Sequence, residues 1–211
     1  MAQPLLLVHG LWMQPLAMRW WAQRLRLHGF SPDVVGYHSL REAPEAIASR
    51  LAAAIAARPG TAIVAHSLGG LLAVCAAARV AAAAGRIVCL GSPLAGSRAA
   101  TALATRLPGG ARLLGPQRAL LERGLPAVPD GLCVGMVAGI RAHGLGRVVA
   151  RLPRPNDGTV ALVETALPGL AARVTVAASH SGLLWSGQAL AQALAFLRDG
   201  RFRPDPAAAD V

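Results

Sequence analysis

The amino-acid sequence predicts an α/β fold: a mostly parallel central sheet of about six strands with helices on both faces. Two observations carry this. Short apolar runs alternate with longer helical segments along the chain, the pattern of strands joined by crossover helices. Each short run is continuously apolar, without the polar alternation of a half-exposed strand, so both faces of the sheet must be covered.

The elements follow in order. "PLLLVHG" (4–10) reads as the first strand, stopped by glycine. "PLAMRWWAQRLRLHG" (15–29) reads as a helix with Leu16, Trp20, Trp21, Leu25 and Leu27 near one face and Gly29 at its end. "SPDVVGY" (31–37) is the second strand, and residues 42–60 are a helix closed by Pro-Gly. "TAIVAH" (61–66) is the third strand, followed by a helix over 68–85. "RIVCLGSP" (86–93) is the fourth strand, "LCVGMVAGI" (132–140) the fifth and "ARVTVAAS" (172–179) the sixth. Residues 186–200 form the last helix. The segment 94–131 is long and irregular, and 203–211 reads as a loose tail.

Composition narrows the class. A chain of 211 residues with 54% hydrophobic and 15% charged residues is ordered and forms one domain, 1–211. No apolar run reaches membrane-spanning length without a charge or a Gly/Pro break. The first strand begins near Pro4, which leaves no room for a signal peptide and points to the cytoplasm. Cys75, Cys89 and Cys133 are odd in number and scattered, so they read as buried free thiols rather than disulfides or metal ligands. The net charge of +11 comes wholly from arginine. Those arginines are dispersed and aromatics make up only 4%, so a nucleic-acid partner is not expected. The exclusive use of arginine beside so much alanine reads first as a GC-rich coding bias, with long-range attraction to anionic lipid or to an acidic substrate as the alternative.

The stretch "AIVAHSLGGLLAV" (62–74) places a serine where a buried strand turns into a helix. A capping serine in a tight turn would have the same look. The small-x-Ser-x-Gly spacing is that of a nucleophile elbow, in which a strained turn lifts the serine oxygen above the sheet and small neighbours let the chain pass. Ala65 stands where glycine is usual. The other strand ends are therefore informative, because ligands of open parallel sheets bind at the C-terminal strand ends. After the first strand, "VHGLW" allows the backbone N–H of Leu11 to join that of Leu68 as a two-donor oxyanion hole, with His9 bracing the turn. After the fifth strand, "RLPRPNDGTV" offers Asp157. After the sixth, "AASHSGLLW" offers His180. Ser67, Asp157 and His180 follow the order nucleophile, acid, base.

These motifs together resemble the α/β-hydrolase superfamily, and most closely its small bacterial lipases and esterases. The resemblance runs from "LLLVHGLW" through "AHSLGG", "LGSPLAGS" and "NDGTV" to "SHSGLLW", nearly the whole chain. It implies a compact α/β-hydrolase fold and hydrolysis of carboxylic esters by Ser67, Asp157 and His180, without metal or organic cofactor. The small lipases also carry alanine at the first elbow position, as at Ala65.

Rival residues are weaker. Glu164 is a second acid candidate, expected to face solvent on a short helix within "VALVETAL". Asp130 precedes its strand and so sits at the wrong sheet edge. His143 breaks the required order, although it follows the fifth strand and is placed near the site mouth. His66 should point away from the nucleophile, His28 and His38 should be surface or turn residues, and Ser92 has no elbow around it.

Trp12, Leu94, Leu183 and Trp185 flank the expected site and are candidate walls for an apolar acyl group. Leu11 and Leu184 flank it too. Residues 97–126 carry leucines interleaved with Arg106, Arg112, Arg118 and Arg123. They read as helices packed on the sheet or as a small flap, apolar beneath and cationic above, bordering the site. Two readings besides an esterase remain open at this stage: a thioesterase or acyltransferase with the same triad, and a catalytically silent binding module.

Overall fold

The computed structural model describes residues 2–143 and 151–204. Six strands form one sheet: β1 (Gln3–Val8), β2 (Phe30–Val35), β3 (Thr61–His66), β4 (Ala84–Leu90), β5 (Val134–Gly139) and β6 (Ala172–Val176). Every neighbouring pair is parallel, and their order is β2-β1-β3-β4-β5-β6. Among the described residues the helices are α1 (Arg19–Arg26), α2 (Pro44–Ala57), α3 (Leu68–Ala78), α4 (Arg98–Arg106), α5 (Gly110–Leu114), α6 (Arg118–Arg123) and α7 (Gly187–Asp199).

The unbroken apolarity of the strands has the expected cause. In β1, Leu6 and Val8 belong to one core while Leu5 and Leu7 belong to the other, and β3 and β4 divide their side chains in the same way. Helices α2 and α3 cover the first face, joined by parts of α4 to α6. Helices α1 and α7 cover the second, where Trp21 and Phe196 are fully buried.

The chain leaves β1 toward one edge and leaves β3 toward the other, so the loops after these adjacent strands diverge. Such a switch point opens a crevice at the C-terminal strand ends.

Several boundaries differ from the sequence reading. The helix expected over 15–29 begins as a 3-10 turn, Pro15–Met18, and Leu16 and Leu27 are exposed rather than packed. The helix expected to 85 stops at Ala78, although alanine-rich sequence favours its continuation. Sheet pairing decides the matter, because Ala84 aligns with Thr61 and Gly60 N–H donates to Ala83 O at 2.8 Å. The irregular segment 94–131 holds the three short helices α4, α5 and α6. Of the expected tail, 205–211 lies outside the described residues.

Candidate active site

The turn from β3 into α3 holds Ser67 at φ 55°, ψ −123°, a left-handed conformation that an L-residue rarely adopts. Ser67 N–H donates to Leu90 O at 2.9 Å, which ties the turn to the end of β4. The glycine two residues on has a steric reason. A Cβ on Gly69 would lie 2.5 Å from His9 O and 2.6 Å from Val8 O, so helix α3 packs directly on the end of β1. Ala65 is fully buried in the core beneath.

His180 follows β6 and reaches back across the strand ends. Ser67 Oγ lies 3.0 Å from His180 Nε2, and His180 Nδ1 lies 2.7 Å from Asp157 Oδ2. The other carboxylate oxygen, Asp157 Oδ1, accepts from Thr159 N–H at 2.9 Å and Val160 N–H at 2.7 Å. The acid is thus fixed by its own loop and almost wholly buried. With Oδ2 as acceptor, His180 carries its proton on Nδ1 and offers the Nε2 lone pair to the serine hydroxyl.

Two further glycines make room for this pair. A Cβ on Gly91, at the end of β4, would stand 3.0 Å from Asp157 Oδ2 and 3.2 Å from His180 Nδ1. A Cβ on Gly139, at the end of β5, would stand 3.0 Å from Asp157 Cβ. The sequence reading missed both, though each is a glycine closing an apolar strand.

Leu11 lies on the loop after β1, and among the described residues no acceptor engages its N–H. Leu68 is the first residue of α3, a position whose N–H has no intrahelical acceptor. His9 braces the turn, with Nδ1 2.9 Å from Gly10 O and its ring stacked on Tyr37. The next residues are anchored as well: Trp12, at φ 58°, donates its main-chain N–H to Ser39 Oγ at 3.2 Å.

His66 does not turn away from the site. Its ring lies 4.7 Å from that of His180, and its Nε2–H donates to His180 O at 3.0 Å. Burial first, then the neighbouring His180, pull its pKa down to about 3, so the ring is neutral. Glu164 sits on a short 3-10 helix as expected, but it is buried rather than solvent-facing. Asp130, His28, His38 and His143 are exposed. Ser92 is buried behind the elbow against Gly70.

Ser67, His66 and His180 open into a cleft of about 540 Å³. Its walls are mostly apolar: Leu11, Trp12 and Met13 on one side, Leu103, Leu114 and Leu121 from α4 to α6 on another. Thr159, Val160, Ser181 and Leu184 complete the side near the base. Of the expected walls, Trp12 lines the cleft, whereas Leu94, Leu183 and Trp185 do not. Leu94 and Leu183 are fully buried in the two cores, and Trp185 lies edge-on to Trp20 at the surface. The segment 97–126 therefore walls the cleft while Arg106, Arg112, Arg118 and Arg123 face solvent.

This fold, with a serine elbow at the sheet's switch point, is that of the α/β-hydrolases. Among solved structures, the chain is similar to the mature form of the Bacillus licheniformis lipase BlEst2, with a TM-score of 0.73 at 18% identity over 95% of this chain and 93% of that one. Against the propeptide form of that lipase the TM-score is 0.75 at 19% identity, and the match covers 97% of this chain but only 51% of the longer one. An extracellular α/β-hydrolase from a Paenibacillus species matches with a TM-score of 0.59 at 13% identity, over 96% of this chain and all of that one. No protein-family model and no curated protein matches the chain.

Proposed function

We propose that the protein is a serine hydrolase that cleaves carboxylic esters with an apolar acyl group. The observation that carries this reading is the continuous relay from Ser67 Oγ through the His180 ring to Asp157, opening into an apolar cleft. His180 Nε2 takes the Ser67 proton as Oγ attacks the ester carbonyl. The Leu11 and Leu68 N–H groups receive the developing oxyanion, and loss of one such donor costs about 2.7–4 kcal/mol of barrier. The alcohol leaves with the proton from His180. Water, deprotonated by His180, then releases the acid and frees Ser67. Asp157 holds the required tautomer and stabilises the imidazolium.

Among the described residues no Asp, Glu or Arg side chain lines the cleft, which favours uncharged substrates over acidic ones. The BlEst2 likeness adds weight to a lipid-like ester. A fluorophosphonate probe tests the reading: wild type should label at Ser67 and Ser67→Ala should not. Failure of folded wild type to label would favour a silent module. Parallel turnover of an ester and its thioester separates esterase from thioesterase.

A further inference from the structure

Glu164 has no part in those chemical steps, yet with Asp157 it is one of two buried acids among the described residues. Burying a carboxylate is costly unless its oxygens are hydrogen-bonded. Here both are. Oε2 accepts from Ala161 N–H at 2.6 Å, and Oε1 accepts from Arg98 N–H, 66 residues away in sequence, also at 2.6 Å. The Glu164 carbonyl adds a third link, accepting from Ala95 N–H at 2.9 Å.

The two donors belong to two parts of the site. Ala161 bridges to Asn156 across the loop that presents Asp157. Arg98 is the first residue of α4, whose Ala99, Ala100 and Leu103 wall the cleft. A carboxylate there also meets the positive end of the helix dipole. We propose that Glu164 is a positioning residue that clasps α4 to the Asp157 loop, and so sets how the site discriminates long acyl groups from short ones. The specificity half of this rests on the ester-hydrolase reading.

The chemistry explains why the residue is glutamate. A carboxylate offers an acceptor to each N–H, whereas glutamine would turn an N–H₂ toward one of them. Position 98 gives an independent way to open the clasp. Proline is tolerated at a first helical position and lacks the N–H. Ser97, at φ −118° and ψ 110°, already has the extended backbone that a following proline requires.

The experiment compares wild type, Glu164→Gln, Arg98→Pro, the double variant and an Arg98→Ala charge control on p-nitrophenyl acetate, butyrate and octanoate. Each single clasp variant should lose about tenfold in kcat/KM on octanoate, the scale of one charge-assisted hydrogen bond, chiefly through KM. Acetate turnover should hold within about twofold, because a short acyl group makes little use of the α4 wall. The double variant should be no worse than either single one, and Arg98→Ala should match wild type. Equal losses across the ester series, or losses that multiply in the double variant, would overturn the proposal.

Amide hydrogen exchange supplies a readout free of turnover. Residues 99–106 should exchange faster in Glu164→Gln, and unchanged protection there would overturn the clasp. Fluorophosphonate labelling is run alongside. An unlabelled wild type would overturn the hydrolase reading alone, and exchange would then decide the clasp.

Discussion

Ser67 holds a backbone conformation that costs of order 1–3 kcal/mol and is kept only where its surroundings enforce it. That strain aims Oγ at His180, and it was legible because small residues must surround such a turn. Asp157 and His180 were legible from chain order and strand ends. The acyl walls were legible only in part: Leu11, Trp12 and Leu184 line the cleft as expected and Leu94, Leu183 and Trp185 do not, because an apolar residue after a strand announces burial without saying on which side. Leu183 went beneath Gly91 into the core, and Leu184 went to the cleft. Glu164 escaped because its decisive donor, Arg98 N–H, is distant in sequence. We expect Ser67→Ala and His180→Ala each to abolish ester turnover in a folded protein, with the double variant little worse than either single one. Multiplying losses, read from steady-state rates, would mean that the two do not act as one unit. His66 gives a second expectation. Its folded pKa of about 3 lies below the ordinary 6.5. Between these values the unfolded chain binds a proton that the folded ring refuses, so stability falls as pH drops. The slope from this group is about tenfold in the folding equilibrium per pH unit. His66→Gln should flatten the fall in denaturation midpoint between pH 6.5 and pH 4. Burial lowers the His9 pKa as well, so some slope will remain. An unaltered slope would show that His66 is not a source of the proton linkage.

Elements were readable where periodicity and turn chemistry agree, and less so where tertiary pairing overrides them. Strand β3 and helix α7 lie within a residue of expectation. Helix α3 ends early because the chain must return to pair Ala84 with Thr61, a constraint invisible to local propensity. The segment 97–126, here called the cap, was readable as amphipathic pieces, and its breaks fall near Pro108-Gly109 and Gly115-Pro116. Its inward set is Leu103, Leu114 and Leu121, while Leu107 and Leu113 are exposed. The close approach of α3 to the end of β1 yields a sharp test. Gly69→Ala places a methyl within 2.5 Å of a main-chain oxygen, where no side-chain rotation relieves it. Overpacking of this kind typically costs about 1–3 kcal/mol. The variant should melt several degrees lower and lose turnover beyond what its folded fraction explains, because the Ser67 turn must shift. A melting point and rate equal to wild type would show that β1 and α3 have slack between them.

At the scale of the whole molecule, the crevice where β1 and β3 diverge gathers loops from both halves of the sheet, and the cap closes it from one side. Its rim carries exposed apolar residues. Trp12 is 50% exposed and donates its indole N–H to Leu113 O at 2.7 Å, while Leu113 itself is 48% exposed. Leu40 is exposed beside them, its backbone packed against Gly115. Arg41 and Arg112, next in sequence to Leu40 and Leu113, are exposed too, on a chain of net charge +11. If these arginines border the apolar rim, it would suit an anionic lipid surface, where each nearby cation contributes about 1 kcal/mol. Acyl esters held in such a surface would meet the cleft without first crossing water. We therefore expect the protein to co-sediment with phosphatidylglycerol vesicles at low salt and to be released as the Debye length shrinks. Arg41→Glu with Arg112→Glu should weaken binding while sparing turnover of a soluble acetyl ester, since neither residue lines the cleft. Leu113→Ser should weaken the salt-resistant part. Equal partition of wild type and the charge-reversed variant, or equal partition onto zwitterionic vesicles, would show that the rim and its arginines do not act as a lipid-facing surface.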